Sequence, residues 1–142
     1  MNEKAEMTNI YPLSEKCPEK VLTPRGRRLA DMTLAAVMQG GVTATDVAIT
    51  PETLRLQAKI AASAGRDRLA RNLERAAELA LIPQDLLMAT YELLRPGRSE
   101  SSAALRERAA ELRRTFRAEL VADFLEEAAD AYDTRGLFGK RF

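Results

Sequence analysis

From residue 51 to residue 131 apolar side chains recur every three or four positions, and nowhere do they alternate with polar ones over a strand's length. That spacing follows the 3.6-residue turn of an α-helix, so the chain is expected to be all-α. The helix starts agree with this. Thr50-Pro51-Glu52 sets a capping hydroxyl, a first-turn proline and an early carboxylate in order. The helix they open should run to about Ala64, with Gly65 as its left-handed C-terminal residue. Its apolar residues form two stripes, Leu54, Ala58, Ala61 and Leu56, Ile60, Ala64. Two apolar stripes fit a helix covered on both sides, by its own core and by a partner.

A second helix, about Asp67 to Leu81, should turn Leu69, Leu73, Ala76 and Ala80 inward and leave Arg68, Arg71, Arg75, Glu74 and Glu78 outside. Pro83 opens a third through Leu94, anchored by Leu86, Leu87, Tyr91 and Leu94 and stopped at Pro96-Gly97. The last begins at Ser99 or Ser101 and carries Leu105, Ala109, Leu112, Phe116, Leu120, Phe124, Ala128 and Ala131 along one side. Unbroken, it would be about 50 Å long, so a bend or break near its middle is expected.

Residues 1–30 follow another pattern. Pro12, Pro18 and Pro24 recur every six residues, and each biases its predecessor toward extended backbone. This tract reads as an extended N-terminal arm without regular structure. Ile10, Tyr11, Leu13, Val21 and Leu22 make it more apolar than a free tail requires, so an arm laid in a groove and a disordered tail both remain open. Thr33 then caps a short helix, Leu34 to Gln39, ended by Gly40 and Gly41, and Thr43 with Asp46 suggests a second capped turn. The expected organisation is an arm, 1–30, followed by a compact helical domain of about four to six helices, 31–142. With 24 alanines, seven Phe and Tyr, and no Trp, its core should rest on closely packed helices rather than bulky rings.

No histidine occurs, which removes the commonest general base and metal ligand and every Ser-His or Cys-His nucleophile pair. One cysteine, Cys17, allows neither an internal disulfide nor a cysteine metal cluster, and no base stands beside it. The seven glycines form no phosphate-binding pattern. Glu74/Glu78 and Glu107/Glu111 are spaced for one helix face, but arginines surround them (Arg71, Arg75, Arg108 and Arg114), so they read as salt bridges. Charges balance, 22 basic against 21 acidic, with 17 arginines. The Arg25, Arg27, Arg28 cluster and the Arg68, Arg71, Arg75 side could suggest nucleic acid. A net charge of +1 and acids interleaved with the bases argue against it. No apolar run is long enough for a membrane span. The first residues lack a secretion signal, so a cytoplasmic location is expected. From these residues the chain has no catalytic, cofactor-binding or metal site and acts by binding another protein.

Three co-linear blocks carry a resemblance: Ile49-Thr50-Pro51-Glu52-Thr53-Leu54-Arg55-Leu56-Gln57-Ala58, Ala64-Gly65-Arg66-Asp67-Arg68-Leu69-Ala70 and Glu74-Arg75-Ala76-Ala77-Glu78-Leu79. With Leu94-Arg95-Pro96, Arg98-Ser99, Tyr11-Pro12-Leu13, Cys17-Pro18-Glu19 and Leu22-Thr23-Pro24, they closely resemble the small (gamma) subunit of adenosylcobalamin-dependent diol and glycerol dehydratases. The resemblance implies a subunit without catalytic residues. It would pack on a large barrel subunit that holds the diol and a potassium ion, while a medium subunit helps bind adenosylcobalamin, in a dimer of heterotrimers. It implies radical dehydration of propane-1,2-diol or glycerol to propanal or 3-hydroxypropanal, in the cytoplasm or inside a bacterial microcompartment. The expected interface residues are Tyr11, Arg55, Arg66, Arg68 and Arg75, since tyrosine and arginine anchor interfaces. A divergent adaptor of another assembly is the alternative.

There are departures. The residues ahead of Ile10 do not match the long extension of some diol-dehydratase small subunits. Gly97 stands where relatives tend to carry an aromatic, and the tail Gly136–Phe142 differs from the usual lysine-rich one. The arm is more like glycerol dehydratases and the Thr50 block more like diol dehydratases, which leaves the substrate open.

Overall fold

The helix-forming signals are realised in a computed structural model that describes residues 3–138, with side chains from Glu6 onward. The described residues are helical, in turns or irregular, apart from one isolated bridge between Leu22 and Arg28. The last four residues of the tail lie outside them. The chain divides into two compact units, residues 1–80 and 81–142, so the arm shares a unit with the Pro51 helix.

The first unit holds α1 (Glu3–Asn9), α2 (Leu13–Lys16), α3 (Leu34–Met38), α4 (Pro51–Ser63) and α5 (Asp67–Leu79). α4 starts where its signal lies: the Thr53 amide donates to Thr50 Oγ1 at 3.2 Å, and Pro51 fills the first turn, where no amide donor is needed. It ends on Gly65 at φ 74°, with Gly65 N–H to Ala62 O at 3.0 Å and Arg66 N–H to Ala61 O at 2.8 Å. That bond pattern satisfies the last carbonyls and turns the chain directly into α5. The α4–α5 hairpin buries Leu54, Ala58, Ile60 and Ala61 together with Ala70 and Ala77.

The expected inward stripe of α5 is therefore rotated. Leu69 and Ala80 are exposed, while Ala70 and Ala77 are the buried pair. Alanines allow α4 and α5 to approach closely, which the larger stripe would not. α1 packs on α4, with Thr8 Oγ1 and Ser63 Oγ 3.0 Å apart. The second apolar side of α4 is thus partly met by the chain's own N-terminal segment.

Where the prolines predict an arm without regular structure, the structure has α1, α2 and 3-10 turns at Pro18–Lys20 and Leu29–Asp31. Pro12 precedes α2 and Pro18 is the first residue of its turn. Both are start positions that need no backbone donor, so the prolines punctuate helices instead of preventing them. Leu13 is buried.

The second unit holds α6 (Gln84–Leu94), α7 (Ser102–Phe116) and α8 (Glu119–Arg135). The long C-terminal helix is broken at Arg117, a non-glycine residue at φ 54°, ψ 33°, and folds back as the α7–α8 hairpin. Leu105, Ala109 and Leu112 of α7 are buried, with Ala118 and then Val121, Ala122, Leu125 and Ala129 of α8. The break resets the helical phase. Phe124 and Ala131, placed on the inner side by an unbroken periodicity, are exposed, while Phe116, Leu120 and Ala128 are half-buried. α6 joins α7 through Arg108, whose Nη1 donates to Thr90 Oγ1 at 3.3 Å and Leu86 O at 3.4 Å. The Tyr132 hydroxyl donates to Leu94 O, and the Tyr132 ring meets Phe138 edge-on at 5.6 Å. Gly97, at φ 78°, donates to Leu137 O at 3.2 Å; its left-handed backbone suits a glycine far better than an aromatic residue.

Candidate interaction surface

Two of the five residues chosen from sequence come together. Tyr11, 61% exposed after α1, and Arg66, at the α4–α5 turn, line one open cleft of about 510 Å³. Ile60 and Ala61 of α4, Ala64 just after it, and Leu69 and Leu73 of α5 form its apolar walls. Thr8, Gln57 and Arg66 supply the polar groups. The rotation of α5 sends Ala70 and Ala77 into the core and leaves Leu69, 44% exposed, for the cleft. A concave apolar site with few polar groups can seat a bulky side chain and orient it from the rim.

The other three lie elsewhere. Arg55 is exposed on α4 and Arg68 on α5; neither lines the cleft, nor does Arg75, which is half-buried. Arg55, Arg66 and Arg68 enter no ion pair among the described residues.

The Arg25, Arg27, Arg28 cluster is used internally. Asp46 is buried, and its carboxylate takes Arg25 Nε–H at 2.8 Å, a second Arg25 donor from Nη2, the Thr43 amide at 2.9 Å and the Thr23 hydroxyl at 3.2 Å. The Arg25 hydrogen bonds hold this carboxyl well below the usual carboxylate range, against the opposing effect of burial. Arg27 donates to Gly41 O, and Arg28 pairs with Asp31 at 3.0 Å. Thr43 with Asp46 is the sequence signal for this hub. That Arg25 would complete it was hidden, since 21 residues separate the partners.

Of the carboxylates read as salt bridges from sequence, Glu111 is bridged by Arg108 at 3.1 Å, whereas Glu74 and Glu107 form no ion pair among the described residues. On the second hairpin Arg113 collects Glu119, Asp123 and Glu126 at 2.8–2.9 Å, which raises its pKa, Glu126 contributing most. Arg106 takes Asp130 at 2.6 Å. Cys17 is free and half-buried at the end of α2. No three or more His, Cys, Asp or Glu residues among the described ones are grouped to hold a metal ion, and no helix among them is long and apolar enough to cross a membrane. The arrangement offers surfaces for binding.

Comparison with known proteins agrees. Residues 7–138 match the family model described as dehydratase small subunit. The chain is 50% identical over 125 residues to the propanediol dehydratase small subunit of Salmonella typhimurium, covering 88% of this chain and 72% of that one. It is equally similar, over the same shares, to the propanediol dehydratase small subunit of Citrobacter freundii.

Proposed function

The chain belongs to the dehydratase small-subunit family, and from that premise we propose that it is the non-catalytic small subunit of an adenosylcobalamin-dependent diol dehydratase. In this reading it stabilises the holoenzyme by binding the large subunit, in a dimer of heterotrimers completed by a medium subunit. The complex dehydrates propane-1,2-diol or glycerol to propanal or 3-hydroxypropanal. It works in the cytoplasm or in a microcompartment there. The observation that carries this reading is the match to dehydratase small subunits over residues 7–138.

In this reading adenosylcobalamin and potassium are held by the partner subunits, and no chemical step is assigned to this chain. Its contribution would be to hold the shape of surfaces that position the cofactor and exclude side reactions. Tyr11 and Arg66 at the cleft, with Arg55, Arg68 and Arg75 around the hairpin, are the proposed contacts with the large subunit.

The test is co-expression of the tagged chain with its large and medium subunits, followed by assay of aldehyde from both diols with adenosylcobalamin. A retained complex that is active only when this chain is present supports the reading, and the preferred diol gives the substrate. Equal assembly and turnover without the chain would overturn it in favour of an adaptor role. An intact complex after alanine substitution at all five contacts would overturn the assigned interface alone.

A further inference from the structure

The α3 helix is inverted. Its large apolar residues, Leu34, Val37 and Met38, are 78%, 49% and 79% exposed, while Ala36 on the opposite side is half-buried. Spacing of i, i+3 and i+4 puts the three on one face. Val47 and Ile49, in and just after the next turn, are also exposed. Ordinary amphipathic packing would bury these residues and expose the alanine.

The segment is also nearly free of charge. From Met32 to Pro51 the only charged residue is Asp46, where the chain's 30% average would give about six. Asp46 is buried and paired with Arg25, and the arginines just before the segment are spent on Asp46, Gly41 O and Asp31. The Arg25 and Arg27 bonds tie the loops on both sides of α3 together. The Thr33 hydroxyl caps α3 by accepting from Ala36 N–H at 3.2 Å. The apolar face is therefore held in place by hydrogen bonds at its edges, centred on the buried Asp46, and carries no charge of its own. Depletion of charge around exposed apolar side chains, methionine among them, fits the core of an interface.

We propose that the outer face of α3, with Val47 and Ile49, is a second docking surface, occupied by an uncharged apolar surface of another dehydratase subunit. This rests on the subunit reading above. Neutrality selects the occupant's chemistry, because an acidic or basic partner would lose hydration here without gaining an ion pair. Size argues against a second copy of the chain. A stable interface takes about 800 Å² from each partner, and one five-residue helix with a neighbouring turn is small for that on its own. As one anchor of a wider heteromeric contact the patch is sufficient.

The test uses the full chain co-expressed with its partner subunits. The double variant Leu34→Asp/Met38→Asp changes only exposed side chains and should retain about tenfold less partner on the tagged chain. In parallel, Met38→p-benzoylphenylalanine should photo-cross-link to a partner subunit, a readout that survives if the double variant folds poorly. Undiminished retention by a folded double variant overturns the proposal, as does a cross-link joining two copies of this chain. If the wild-type chain retains no partner at all, the subunit reading fails first and takes this surface with it.

Discussion

Leu125→Ala in α8 tests whether the C-terminal hairpin is built as described. The side chain is 0% exposed, between Ala122 and Ala129 on the inner face of α8. Removing three carbons forfeits about 2.4 kcal/mol of transfer free energy at ~0.8 kcal/mol per methylene. Incomplete collapse of the cavity raises the expected loss to about 3–5 kcal/mol. A unit spanning residues 81–142 has on the order of 3–9 kcal/mol of stability, so the substitution should bring it close to unfolding. Urea denaturation of the full chain, followed by far-ultraviolet circular dichroism, reads the loss directly. Two controls fix the register. Ala129→Leu overfills a buried site and should cost about 1–3 kcal/mol. Ala131→Leu, on the exposed side, should stay within about 0.5 kcal/mol of wild type. An unbroken helix would put Ala131 inside and reverse that order. A Leu125→Ala loss under about 1 kcal/mol, or the reversed order, refutes the hairpin register.

Arg117 holds a left-handed conformation that glycine adopts freely, so Arg117→Gly should raise stability by up to about 1 kcal/mol in the same assay. Thr50→Ala removes the acceptor for the Thr53 amide and should cost about 1 kcal/mol; no change in the melting transition would mean that the cap is dispensable. Asp46→Asn should lower the melting temperature at neutral pH. Because the folded carboxyl titrates below the unfolded one, its stabilisation is present above the ordinary carboxylate range. It fades as pH falls through that range toward the folded value. The wild-type advantage in melting temperature should therefore shrink from pH 6 to pH 3, and an advantage that grows on acidification would contradict the Arg25–Asp46 pairing.

Much of the first unit was legible because its signals are local. A hydroxyl three residues ahead of an amide, a proline in a first turn and a glycine at a helix end act within one turn of chain, so α4 and its cap could be read directly. Residues 1–30 were harder. Proline spacing constrains backbone angles but does not say whether each proline begins a helical turn or interrupts one. Tyr11 and Arg66 were legible as anchor types, yet their meeting at one cleft depends on how the segment after α1 and the α4–α5 turn lie in space.

By itself the sequence determined the helical class, the family and the absence of histidine, because periodicity, aligned blocks and composition need no tertiary context. Only the tertiary structure decided the break at Arg117, the rotation of α5 onto its alanines, the pairing of Arg25 with Asp46 and the outward face of α3. Helical periodicity says that a residue lies on some apolar stripe. Which stripe is buried depends on how closely two helices can approach, and on partners that stand many residues apart in the chain.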